Sequence, residues 1–515
     1  MHVCWGNYEG PHHRDVPLRD IVDLVLAARP SAVSFEAANP RHAHEWAVFE
    51  DVALPEGKMS PRACSTRRRT ASSTPTSSRS GSCASRASSG ATTSSRAATA
   101  AMAEGARRAT RELWGPAALA PERPLRIESA SQPPGPEERA VKRSTEHILT
   151  THTGSLPRPP ELLEALQRRD RGENGDAGLD ARVRDAVADV VRKQADAGVS
   201  VVNDGEAGKI GYSTYVKERL EGFGGEGGME GMPADLAEFP EYLQRVMGDI
   251  DFAMPACVGP VSYRDLDAVR ADVANLKAAV EGADVEDAFM SAASPGVIAF
   301  FLPNRHYDSH DDYVAALADA MKEEYDEIHR GGIVLQLDCP DLAMTAHMQG
   351  EERDAFLRRA RVNVEAINHA TRDIPPDAMR MHLCWGNYEG PHHHDIALRD
   401  IIEIVFEARP SAISFEAANP RHEHEWTVFE DVRLPEGKVL IPGVLDSTTN
   451  YIEHPELVAQ RLVRYGKLVG PENVMAGSDC GFATFANLLT VDPGITWAKL
   501  RAMADGAERA SKELY

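Results

Sequence analysis

Basic residues are scarce: 56 lysines and arginines face 79 aspartates and glutamates in 515 residues, a formal charge of −23. Such an excess repels polyanions and argues against non-specific nucleic-acid binding and against docking on an anionic membrane. Long apolar runs are missing too. None is long enough to cross a bilayer, and Met1-His2-Val3-Cys4 lacks the basic and apolar stretches of a secretory signal. Cysteine is sparse, at seven, with no framework-like spacing. That pattern excludes a disulfide scaffold and leads us to expect a reducing cytoplasm, where thiols serve metals or catalysis. No strand-like run leads into a glycine-rich phosphate loop, which argues against a doubly wound nucleotide-binding sheet. What remains is an ordinary apolar fraction of 42% in a chain long enough for several domains or one large barrel with additions.

The chain contains one long-spaced duplication. Residues 1–58 repeat residues 381–438 without a gap, with about three-quarters of positions identical, and His2, Cys4 and Glu36 stand where His382, Cys384 and Glu416 stand. A solenoid needs a short fixed period, so a single distant copy marks a duplicated gene segment. Beyond Lys58 the composition turns to Ser, Thr, Arg and Ala, which in itself reads as a disordered linker. A sharper reading exists for Cys64–Arg79, CSTRRRTASSTPTSSR. GC-rich codons for VLDSTTNCIEHPDLVA, read one nucleotide late, give that segment, and the in-frame version differs from residues 444–459 at two of sixteen positions. Residues 59–101 are therefore expected to be an out-of-frame copy of the region after Lys438. In-frame likeness returns at Ala101–Trp114, which matches Ala502–Tyr515. Residues 102–144 thus read as a remnant helix and a linker. The truncated copy has too few strands to enclose a barrel interior and is expected to be poorly folded or loosely packed.

From about Thr145 the chain alternates between strand-like and helical patterns. Strands are predicted at His147–Thr151, Val199–Asn203, Ala288–Ala293, Ile333–Leu337, Arg380–Cys384, Ala412–Phe415, Val439–Leu445 and Val474–Gly477, with Ala256–Val261 a weaker candidate. Amphipathic periodicity predicts helices at Asp180–Ala197, Asp311–His329 and Ile396–Ala408, among others. Eight strands alternating with helices over 145–515 predict a (β/α)8 barrel of the TIM type, with its active site at the strand ends.

Four metal-capable side chains fall at those ends. His382 and Cys384 close one strand, Glu416 closes the next, and Cys480 follows the last. Residues i and i+2 of a strand share a face, so His-x-Cys presents both groups together. One imidazole, two thiols and a carboxylate form a complete set for zinc, which would bind and activate a thiol substrate.

The motifs THTGSLPRP (151–159), DGEAG (204–208), LQLDCP (335–340), HLCW (382–385), SFEAANPR (414–421) and GSDCGF (477–482) resemble those of the catalytic barrel of cobalamin-independent methionine synthases and their single-barrel relatives. The resemblance covers 145–515. It implies that zinc sits on His382, Cys384, Glu416 and Cys480, and that homocysteine is held by Gly154, Ser155, Glu206 and Asp338. Carboxylates at Glu206 and Asp338 suit a substrate ammonium group. It also implies a proton-donating histidine shortly after the P-G-V-x-D strand. Here Asp446 is followed by Thr448 at that position, and His454 lies beyond, expected on the surface at the start of the next helix. Weaker features are His392–His394, read as a solvated loop or helix cap or else a lid over the zinc site, His422 and His424 at the pocket mouth, and Arg158 as a contact for an anionic donor.

The expected activity is zinc-dependent methylation of homocysteine by a methyl-folate. Two rivals accompany it: the same zinc-thiolate served by a methyl-corrinoid protein or an epoxide, and an inactive frameshifted fusion.

Overall fold

Short apolar runs without alternation mark strands covered on both faces. In the computed structural model these runs form one curled parallel sheet. The structure describes residues 1–58 apart from 7, and 140–515 apart from 174–177, 229–232, 248–253, 349–351 and 486–489. The out-of-frame segment and the matching stretch 101–114 lie outside the described residues.

In chain order the strands are β1 (His2–Val3), β2 (Ser34–Phe35), β3 (Val201–Val202), β4 (Leu220–Gly224), β5 (Ala256–Tyr263), β6 (Asp287–Ala293), β7 (Val334–Asp338), β8 (Met379–His382), β9 (Ala412–Phe415), β10 (Val439–Leu445) and β11 (Gly477–Ser478). Seven of them pair in the order β11-β10-β9-β8-β7-β6-β3. The gap between β3 and β11 is closed by the predicted first strand. Thr150 bridges Ala476 in parallel, and the Val201 amide donates to the Thr150 carbonyl at 2.9 Å. The eight-strand barrel expected from the pattern is thus built, with its first and last strands reduced to short ladders. The weaker candidate at Ala256–Val261 is a strand outside the barrel: β5 pairs antiparallel with β4.

The helices fall as predicted, at Leu179–Asp196, His310–Arg330 and Leu398–Phe406. Apolar side chains divide into two sets. Leu149, Val201, Phe289, Val334, Ala412, Val439, Ile441 and Met475, one or two from nearly every strand, pack together as an inner layer. The larger set joins the strands to the surrounding helices.

Residues 1–58 depart from the expectation of poor folding. β1 and β2 pair in parallel in the register of β8 and β9, His2 opposite Ser34 as His382 is opposite Ser414. Leu18, Val22, Leu26, Phe35 and Val48 form a small separate core. Polar anchors repeat as well: Glu45 accepts the Leu18 amide as Glu425 accepts that of Leu398.

Candidate metal and substrate site

The end of β8 delivers His382, and the chain beyond it delivers Cys384. Cys480 follows β11, three strands further round the sheet. One ligand atom from each of these three buried residues lies within 4.8 Å of the other two. The two sulfurs are 3.6 Å apart. Thiolates bound tetrahedrally at about 2.3 Å from a zinc would stand roughly 3.8 Å from each other, so the spacing fits. The His382 Nδ1 bonds the Ser414 hydroxyl at 3.1 Å, whereas its Nε2 is buried without a partner. Burial, with Arg380 adding to it, lowers the His382 pKa to about 3 and keeps the ring neutral, as a ligand requires.

Glu416 stands beside this group and not within it. Its Oε1 accepts the Trp385 amide at 2.7 Å and its Oε2 accepts from the Asn419 amide at 2.8 Å. Burial and the neighbouring Cys384 raise the Glu416 carboxyl well above the usual carboxylate range. A cation among these acids and thiols would reverse that repulsion.

The residues expected to hold homocysteine lie on the elements next to the thiols. Asp338 ends β7 directly opposite His382 in the ladder. Burial and nearby Glu206 push its carboxyl well up, and Gln336 donates to it at 2.8 Å. Glu206 adopts φ 56°, a left-handed backbone that non-glycine residues rarely take. Its Oε1 accepts from Ser291 at 3.0 Å, while its Oε2 is buried and unpartnered. A side chain at Gly154 would meet Glu206 Oε1 at 2.5 Å, so only glycine lets the carboxylate lie there. Ser155 reaches the other way: its carbonyl accepts the Phe482 amide at 2.9 Å, and its hydroxyl fills the space a Gly481 side chain would need. Contacts thus tie Gly154 to Glu206, Ser155 to the turn after Cys480, and Asp338 to the strand that ends in His382.

At the end of β10, Asp446 Oδ1 accepts both the amide and the hydroxyl of Thr448, at 2.8 and 2.7 Å. Ser447 donates to Asn387 Oδ1 at 2.8 Å, and Asn387 donates to the Gly481 carbonyl at 2.8 Å. This turn is therefore tied to the Cys480 loop. His454 caps the helix Pro455–Val469, its Nδ1 accepting the Glu456 amide at 3.1 Å. It is not a free surface histidine, because His44 stacks on it at 3.8 Å. Arg158 is engaged with the protein itself: its Nη atoms donate to the carbonyls of Ala483, Glu206 and Lys209, which braces the loops that carry them.

Several supporting residues had no recognisable spacing. Asp479 accepts the amides of Ala417, Ala418 and Asn419 at 2.7–2.8 Å and so binds the Glu416 loop to the Cys480 loop. Lys209 donates to the Ser291 carbonyl and lies over the Tyr215 ring, a buried cation among the pocket acids. The flagged histidines separate. His393 and His394 reach the exposed Glu238, and His424 is exposed. His422 is buried under Trp385, bonded to Asp395 at 3.0 Å and to Glu425 at 2.9 Å.

Burial opposes charge on His422, but Asp395 and Glu425 outweigh it and raise its pKa from 6.5 to about 10. A histidine raised in this way stabilises the fold fully below about pH 6.5, and the contribution is lost as pH rises through about 10. Urea midpoints should therefore fall between pH 7 and pH 10, and His422→Gln should flatten that slope while lowering the neutral-pH midpoint.

Among the described residues no helix is long and apolar enough to cross a membrane. Comparison with known proteins places this geometry in context. A methionine synthase of Thermococcus kodakarensis is 26% identical over 371 residues, which span 71% of this chain and 94% of that protein. One from Saccharolobus solfataricus is 26% identical over 370 residues, 71% of this chain and 96% of its own. The fold is that of a B12-independent methionine synthase from Shewanella sp. W3-18-1, solved with selenomethionine, at a TM-score of 0.56 and 22% identity, over 72% of this chain and 99% of that one. Residues 148–509, well over half of the chain, match the family model described as the cobalamin-independent synthase catalytic domain, and the chain belongs to that family.

Proposed function

We propose that the barrel is a methyltransferase of methionine biosynthesis that transfers a methyl group to the sulfur of homocysteine, with zinc held by His382, Cys384, Cys480 and Glu416. The observation that carries this reading is the buried His-Cys-Cys group, with Asp338 opposite His382 in the ladder and, next to Asp338, Glu206, whose buried Oε2 has no partner. Bound zinc supplies a deprotonated, directed thiolate at neutral pH. Glu206 and Asp338 receive the substrate ammonium, and the Gly154–Ser155 turn holds its other end against the Cys480 loop. Ser414 bonds His382 Nδ1 and leaves Nε2 without a protein partner, as the atom that would hold the zinc. Glu416, whose oxygens accept from Trp385 and the Asn419 side chain, would complete the set that holds the zinc.

The methyl donor in this reading is a methyl-folate, whose nitrogen leaves only once protonated. Thr448 stands where a histidine would supply that proton, which keeps a second reading in play: the same thiolate attacks an epoxide carbon, the C–O bond breaks, and the alkoxide takes its proton from water. None of the comparisons supports a corrinoid protein as donor.

The purified full chain should contain one zinc and form methionine from homocysteine and methyl-folate. Epoxide consumption without methionine would select the second reading. A chain with neither stoichiometric zinc nor alkylation of any thiol would refute both and leave the inactive fusion.

A further inference from the structure

Residues 1–58 do not merely fold; they sit on the barrel. The Ile452 amide donates to the Pro11 carbonyl at 3.4 Å, and the His454 amide to that of Pro40 at 3.3 Å. Glu9 Oε1 accepts from the amide and the side chain of Asn450 at 3.1 and 3.0 Å, and the Tyr451 hydroxyl donates to the Tyr8 carbonyl at 3.1 Å. Two ring pairs complete the contact: His12 on Tyr451 at 5.2 Å, and His44 on His454 at 3.8 Å.

Each of the six residues on the segment's side, Tyr8, Glu9, Pro11, His12, Pro40 and His44, has the identical residue 380 positions on, in the barrel itself. The local shape is the same as well. Tyr8 stacks on His12 at 4.2 Å, as Tyr388 does on His392, and His12 and His392 have φ of 49° and 50°. In the barrel copy Glu389, Pro420 and His424 are exposed. These residues follow β8 and β9, whereas Asn450–His454 follows the adjacent β10, so both surfaces lie on one rim.

We propose that Asn450–His454 is a docking surface for a second copy of this barrel, through its Tyr388–His392 and Pro420–His424 loops, and that residues 1–58 occupy that surface in cis. A surface that accepts a near-identical copy of a rim should accept the rim itself. Because both surfaces share the rim, a two-fold pair makes the contact twice, each barrel giving one surface and receiving the other. The segment carries only the giving surface, so its occupancy closes the receiving one.

The test is the mass of the full chain in sedimentation equilibrium. Wild type should run as a monomer of 56.1 kDa. Glu9→Lys with His44→Glu alters only the segment and should release it, giving about twice that mass. The barrel has its own closed sheet and core, so residues 140–515 alone provide a second form of the same test and should also dimerise. Adding Glu389→Lys and His424→Glu to either form should restore the single mass, as should Tyr451→Ala. Single mass for both the released chain and the 140–515 form would overturn the proposal. So would a doubled mass that survives the Glu389 and His424 changes.

Discussion

Cys480→Ser should leave a folded barrel that no longer retains metal and no longer alkylates thiols. The substitution changes one buried atom, and the packing around residue 480 is otherwise set by backbone contacts of Gly481, Phe482 and Ala483 with Ser155. Far-ultraviolet circular dichroism should therefore be unchanged. The metal site is another matter. Cys480 is the only member of the His-Cys-Cys group contributed from beyond β11, and its sulfur lies 3.6 Å from that of Cys384. A serine hydroxyl is a hard, weakly acidic donor and does not replace a thiolate on zinc. Ser414→Ala gives the scale. It removes only the Nδ1 partner of His382, a support outside the ligand set, and should weaken metal binding roughly 10- to 100-fold. Cys480→Ser should exceed that, with metal lost on dialysis. Zinc content and alkylation measured on both variants decide the matter; full activity in the serine variant would remove Cys480 from the ligand set.

Lys499→Met should be the most destabilising single change at the barrel mouth. Lys499 and Glu453 are both completely buried, paired at 2.9 and 3.0 Å. Lys499 also donates to the Asp446 carbonyl at 3.0 Å, and Glu453 accepts the Asp446 amide at 3.0 Å. The pair therefore clamps the turn at the end of β10 from both sides of one residue. Removing the lysine strands a buried carboxylate, and loss of one partner of such a pair costs about 3–5 kcal/mol. Changing Glu453 to Gln as well should recover most of that loss, because the stranded charge is gone. Urea unfolding of the two variants reads both effects. A single variant as stable as wild type would show that water reaches this pair and that the clamp is weak.

These two sites differ in how far the chain discloses them. The cysteine lies in a D-C-G turn after an apolar run, and strand ends are where a barrel places its chemistry. The lysine lies inside the helix Pro493–Leu514, where its spacing is that of any helical residue. Its burial and its acid partner, 46 positions away, follow only from how that helix packs across β10. Asp479 and Asn387 are of the same kind. Both act by accepting or donating to backbone groups of distant loops, and backbone groups carry no residue-type signal.

Sequence alone was enough to foresee the strands and the helical alternation and to single out His382, Cys384, Glu416 and Cys480 as candidate ligands, because burial on both faces and the two-residue period are local properties of the chain. It also disclosed the duplication, although not its outcome: composition and strand count predicted a loose fragment, whereas residues 1–58 keep their ion pairs, a small core and a seat on the rim. The tertiary structure alone decided three things. It brought Glu206 beside Gly154 and Asp338, and Ser155 against the turn after Cys480. It held Glu416 just outside the His-Cys-Cys group, and it made Arg158 a brace between loops. Each depends on distances between loops far apart in sequence, which are fixed only when the curled sheet closes and brings its strand ends around one mouth.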